Sequence, residues 1–165
     1  MKLLATLQVA ALAYIAAIAP SAACSPMTSD FYTPTPSSLA DQDLRIPKPQ
    51  VSHINLSRGS GPPDGFSCAD LGFLSMKIGL PEGSEGSIEQ FGVTIEVVEG
   101  KDSFHIFHGN PIAPVSGDTI KDGSIWLNWL DGAPEDHQPI NLEVELRLVY
   151  GNRNGPPERF KLVSP

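Results

Sequence analysis

The chain has 165 residues, with 11 basic against 19 acidic side chains and a formal net charge of −8. That length fits one modest domain, and the acidic balance argues against nucleic acid and anionic membrane surfaces as charge-driven partners. Two cysteines, Cys24 and Cys68, are too few for a disulfide-rich scaffold.

In chain order, the first predicted element is a secretory signal peptide over residues 1–23. Met1 and Lys2 make a short positive n-region, Leu3 to Ala19 is apolar apart from Gln8, and Pro20 with Ser21, Ala22 and Ala23 supplies a small-residue cleavage site. The apolar run is short of the roughly 20 residues that a spanning helix needs. Its removal takes away Lys2 alone among charged residues, leaving 10 basic against 19 acidic and a charge of −9. Ser21-Ala22-Ala23-Cys24 resembles the lipobox of bacterial lipoproteins. The resemblance implies cleavage before Cys24, acylation of its thiol, and a membrane tether in the cell envelope, at the outer membrane or in the periplasm. Ordinary signal peptidase also accepts Ser21 and Ala23. Its cut leaves Cys24 free in a secreted chain or paired with Cys68 in an oxidising compartment.

Residues 24–50 read as a linker. Five prolines fall between Ser25 and Gln50, with Ser and Thr between them, and neither a period of 2 nor one of 3.6 is visible. So few apolar residues do not offset the entropy of ordering the segment, which is expected to be a semi-extended spacer.

From Val51 to Pro165 the pattern changes to short alternating strands. "LGFLSMKIGL" turns Leu74, Met76, Ile78 and Leu80 inward, and "FGVTIEVVEG" does the same with Phe91, Val93, Ile95 and Val97. "INLEVELRLVY" is the clearest, with Ile140, Leu142, Val144, Leu146, Leu148 and Tyr150 on one face and Asn141, Glu143, Glu145 and Arg147 on the other. Shorter strands are expected over Val51–Ser57, Phe104–His108, Ser124–Leu130 and Glu158–Val163. Seven strands, turn signals between them and no helical stretch of ten residues predict an all-β, two-sheet antiparallel sandwich. The tail, "ELRLVYGNRNGPPERFKLV", resembles the last two strands of fibronectin type III and related immunoglobulin-like domains. That resemblance implies an immunoglobulin-like sandwich of about seven strands.

Four groups of residues bear on function. Trp126 and Trp129 are three apart, so on a strand they face opposite ways. With Ile125, Leu127 and Trp129 inward, Trp126 and Asn128 face out; the other phase exposes Trp129. An exposed indole beside Asn128 and Asp131 is what a sugar platform uses, the ring stacking on C–H groups while amide and carboxylate take hydroxyls. His105 and His108 have helical metal-ligand spacing, but on a strand they diverge, and His137 or Glu135 would have to complete the set. Asp118, Asp122, Asp131, Glu135 and Asp136 lie in Asp-Gly turns without the spacing of a calcium loop, and turn formation accounts for them. Glu143 and Glu145 form an outward charge row.

No nucleophile elbow or phosphate loop is present, and Cys68 has no sequence-local catalytic partner. The reading is an exported, lipid-anchored, non-enzymatic envelope protein, a binding or structural module with a protein or polysaccharide ligand and no cofactor. The alternatives are a carbohydrate-binding module built on Trp126, Asn128, Trp129 and Asp131, and a small secreted metal protein or enzyme on His105 and His108.

Overall fold

Strand β6 (Ile140–Tyr150) runs through the centre of one sheet, as its unbroken alternation requires: Ile140, Leu142, Val144, Leu146, Leu148 and Tyr150 are all buried. In this computed structural model, residues 28–41, 43–61, 68–116 and 122–164 are described; the expected signal peptide and Cys24 lie outside them. β3 (Gly92–Glu99) pairs antiparallel along one side of β6. Along the other side run β7 (Arg153–Asn154) and β8 (Glu158–Ser164), which act as one strand interrupted at 155–157. Gly155 N donates to Leu148 O across the interruption, and Pro156 and Pro157, which have no N–H to give, occupy the gap in the ladder.

The second sheet has the order β1–β2–β5–β4, from β1 (Gln50–Ser57), β2 (Leu71–Gly79), β5 (Asp122–Leu130) and β4 (Val115–Ser116). The inner faces of the two sheets supply one continuous core, with Leu74, Met76 and Ile78 of β2 and Ile125, Leu127 and Trp129 of β5 meeting the β3 and β6 residues. The all-β two-sheet sandwich expected from the strand pattern is therefore present.

Two bulges adjust that pattern. Between Ser52 and Asn55 the edge strand β1 carries one extra residue relative to β2, and His53 takes a left-handed φ of 50°. The extra residue lets Val51 and Leu56, which strict alternation would send to opposite faces, both pack on the core. A second bulge between Val97 and Glu99 leaves Val98 exposed.

Phe104–His108 is not a strand. The Asp102 carboxylate accepts from Ile106 N (Oδ1, 3.0 Å) and Phe107 N (Oδ2, 3.0 Å), so two backbone donors that would need a ladder are satisfied within a loop. Ile106 is fully buried all the same, so the apolar residues of this stretch reflect burial without a strand.

The described part of the expected spacer also differs, since it lies against the sandwich. Ser29 N donates to Trp126 O (2.9 Å) and Trp126 N donates to Ser29 Oγ (3.0 Å), which extends the β5 edge where β4 stops. Asp30, Phe31 and Tyr32 then pair with the 111–113 segment. A short helix, α1 (Pro36–Ala40), follows. Its N-cap Thr35 accepts from Ser38 N (3.2 Å) and Pro36 stands in the first turn, where no N–H is needed. Leu44 and Ile46 pack on the core and Lys48 pairs with Glu158 (2.5 Å) before β1 begins. Glycines receive this strap: Tyr32 lies over Gly92, Ser38 O over Gly151, and Ile46 over Gly155, each where a Cβ would collide. The prolines thus limit regular structure here to α1 and an isolated bridge at Phe31 without excluding order, because tertiary contacts hold the rest.

Candidate functional site

The phase of β5 divides the expected ligand set. Trp129, 4% exposed, and Asp131, also 4%, turn inward, while Trp126 and Asn128 stand on the outer face of the four-stranded sheet, half-buried. Cross-strand register places Phe73 opposite Asn128, Ser75 opposite Trp126 and Lys77 opposite Ser124. On the β1 side, Ser57, Asn55 and Ser52 extend these three rows, and Leu71 with Leu130, 59% exposed, closes one end. Asn128 Nδ2 donates to Thr28 Oγ1 (2.5 Å), which fixes the amide on this face.

Across the three rows from Ser57–Phe73–Asn128 to Ser52–Lys77–Ser124, Lys77 is the one charged side chain among the described residues. The rest are hydroxyls, amides and two aromatic rings. The outer face of the other sheet is the opposite case. There Glu96, Glu145 and Arg159 are in register, as are Glu99, Glu143 and Lys161. Glu145 accepts from Arg159 Nε (2.9 Å) and from Arg147. Burial alone would raise the Glu145 pKa, but the Arg159 and Arg147 hydrogen bonds and charges hold it below the usual value. That face is the expected outward charge row, with Glu145 held between Arg147 and Arg159.

Asp131 belongs to a buried cluster at one end of the sandwich. Arg58 donates to it twice, Nε to Oδ2 (2.8 Å) and Nη2 to Oδ1 (2.8 Å), and Gly59 N donates to Oδ2 (2.7 Å). The Arg58 guanidinium also reaches Gln138 O (2.9 Å) and stacks on Phe104, 5.2 Å from the ring centre. His137 Nε2 lies 3.4 Å from Asp131 Oδ2. Burial pushes the Asp131 pKa up, yet Arg58, the Gly59 amide and the nearby Trp129 indole outweigh it, and the net shift is downward. The Trp129 N–H is close enough to act on the carboxylate but makes no hydrogen bond of ordinary geometry. With both carboxylate oxygens occupied and the side chain wholly buried, this Asp131 is a structural anchor, out of reach of a sugar.

His105 and His108 are exposed in the 102–110 loop. His105 has a left-handed φ of 52°, and the space beside His108 is 20 Å³, room for about one water. Among the described residues no three His, Cys, Asp or Glu side chains gather as a metal site. Glu135 and Asp136 are exposed in the 3-10 turn Pro134–Asp136; Asp118 lies outside the described residues.

Sequence reasoning named Trp126 and Asn128 but missed Phe73, Ser75 and Asn55. The alternation of β2 marks Phe73 as outward, but only strand pairing sets it beside Asn128 and Trp126. Comparison with protein-family models, curated proteins and solved structures returns no match.

Proposed function

We propose that the protein is an exported, non-catalytic binding module of immunoglobulin-like topology, and that the outer face of its four-stranded sheet takes a neutral polysaccharide. The observation that carries this reading is the contrast between the two outer faces. In a chain of 19 acidic residues, one sheet face carries rows of charged side chains, among them Glu96, Glu99, Glu143, Glu145, Arg147, Arg159 and Lys161, while the other joins Trp126 and Phe73 to Asn55, Ser75 and Asn128 with Lys77 alone at its far end. A face of aromatic rings and uncharged donors and acceptors suits a ligand with C–H faces and hydroxyls. Charged ligands gain little there.

The strand order supports the topology. β1–β2–β5–β4 against β3–β6–β8 corresponds to the A-B-E-D and C-F-G sheets of constant-type immunoglobulin domains. Export is supported by the disulfide at Cys68, since such bonds persist in oxidising compartments.

Affinity electrophoresis through gels containing neutral glucans, mannans, xylans and galactans tests the reading. At least one polysaccharide is expected to retard the wild type, with W126A and F73A restoring free migration and K161A remaining retarded. Unretarded wild type across the panel, or retardation that W126A leaves intact, overturns it.

A further inference from the structure

On the outer face of the four-stranded sheet, Phe73 of β2 stands opposite Asn128 and Trp126 of β5 stands opposite Ser75, so the two rings occupy a diagonal of the β2–β5 pair. β4 continues that diagonal. Val115, 50% exposed, is the partner of Ser124, the outward neighbour of Trp126 along β5. Phe73, Trp126 and Val115 thus form an apolar stripe across three adjacent strands, with steps of about 7–8 Å and a length of about 15 Å. Among the described residues no other line on this face carries three apolar side chains in succession: outward positions run Leu71, Phe73, Ser75 along β2 and Leu130, Asn128, Trp126 along β5.

The flanks of the stripe are polar. Asn128, its amide tied to Thr28 Oγ1 (2.5 Å), lies on one side, and Ser75 and Ser124 lie on the other. A pyranose ring laid flat on the stripe points its axial bonds down at the apolar side chains and its equatorial bonds out at the flanks. Equatorial hydroxyls therefore meet the amide and the serine oxygens. An axial hydroxyl on the lower face is pressed against indole, phenyl or valine with no partner, and its desolvation goes uncompensated.

Building on the polysaccharide reading above, we infer that Phe73, Trp126 and Val115 are a three-position platform for a linear β-1,4-linked glucan or xylan whose axis crosses the strands diagonally. Successive rings of such a chain turn over, so both faces of each ring must carry C–H groups alone. Glucose and xylose units meet that condition, whereas mannose and galactose each have one axial hydroxyl. A β-1,4 chain of all-equatorial rings is also linked through equatorial bonds at both ends, which keeps it straight, as the stripe is. One ring covers a single position, so the platform reads a stretch of chain and leaves a monosaccharide with one stacking contact. Val115 is the contact that separates this diagonal path from one along β2 or β5.

The test is calorimetric titration of the full chain with β-1,4-linked gluco- and xylo-oligosaccharides of increasing length, and with manno- and galacto-oligosaccharides of equal length. Affinity for the first two is expected to rise by about 5-fold with each platform side chain covered and then to level off. The manno and galacto series are expected to bind about tenfold more weakly. V115S, a change at a half-exposed position, is expected to weaken the longest glucan ligand by about 5-fold, while L130S, off the stripe, leaves it unchanged. Affinity independent of length, equal binding of the manno or galacto series, or a V115S no weaker than L130S overturns the diagonal platform, even where W126A abolishes retardation by some polysaccharide and the broader reading stands. A wild type that binds no neutral polysaccharide removes both.

Discussion

The indole of Trp129 lies across Gly72, its direct cross-strand partner, in the space where any other residue would carry its Cβ. The glycine is thus a packing requirement: the largest side chain of β5 fits into the core because its neighbour on β2 has none. G72A is expected to destabilise the fold by about 2 kcal/mol or more, the range of overpacked cores, and to change tryptophan emission. Urea titration followed by fluorescence checks this, and a neutral G72A would mean that Trp129 does not pack there.

Arg58 and Asp131 are 73 residues apart in sequence and join β1's end to β5's end. R58A leaves a wholly buried carboxylate without its main partner, and a loss of roughly 3–5 kcal/mol is expected. The cost appears as a lower urea midpoint at neutral pH.

The pH dependence of that pair has a definite sign. The folded-state Asp131 pKa lies below its ordinary value of 3.8, so the stability it contributes is fully present above that value and is lost as pH falls through the lower folded value. Glu145, shifted the same way, adds to the acid limb. D131N is expected to lower stability at pH 7 and to flatten the decline below pH 4, measured as urea midpoint against pH. An acid limb as steep as the wild type's would assign the dependence to other groups.

Tyr150 reports on the strap. Burial and then the Asp41 carboxylate, whose Oδ2 accepts from the phenol at 3.5 Å, push its pKa above 10.0. Its raised value means that this contribution to stability holds below the ordinary pKa and is lost as pH rises through the folded one. In D41N the ultraviolet titration of this phenol is expected to move back toward ordinary tyrosine. No movement would separate Asp41 from Tyr150.

Strap and spacer also differ in energetics. Deleting residues 28–49 removes Leu44 and Ile46 from the core margin and uncovers Gly92, Gly151 and Gly155. A loss of about 3 kcal/mol is expected from the buried apolar area, whereas a spacer would be neutral. Urea unfolding of the two proteins decides between them.

By itself the sequence determined the sandwich, because period-2 alternation in β2, β3, β5 and β6 is a local property and one face of each strand had to be buried. It likewise fixed that Trp126 and Trp129 diverge. Other features depended on partners distant in the chain. Asp102 turned 104–108 into a loop, the β1 bulge brought Val51 and Leu56 to one face, and Arg58 drew Asp131 away from the surface. The strap is the clearest case, since its prolines and serines show no period, and its order comes from hydrogen bonds to β5 and from glycines on β3, in the β6–β7 turn and after β7. Which outer face is nearly uncharged was decided last, by strand pairing alone: Phe73, Asn55 and Trp126 are scattered along the chain and become one surface only when β1, β2 and β5 lie in register.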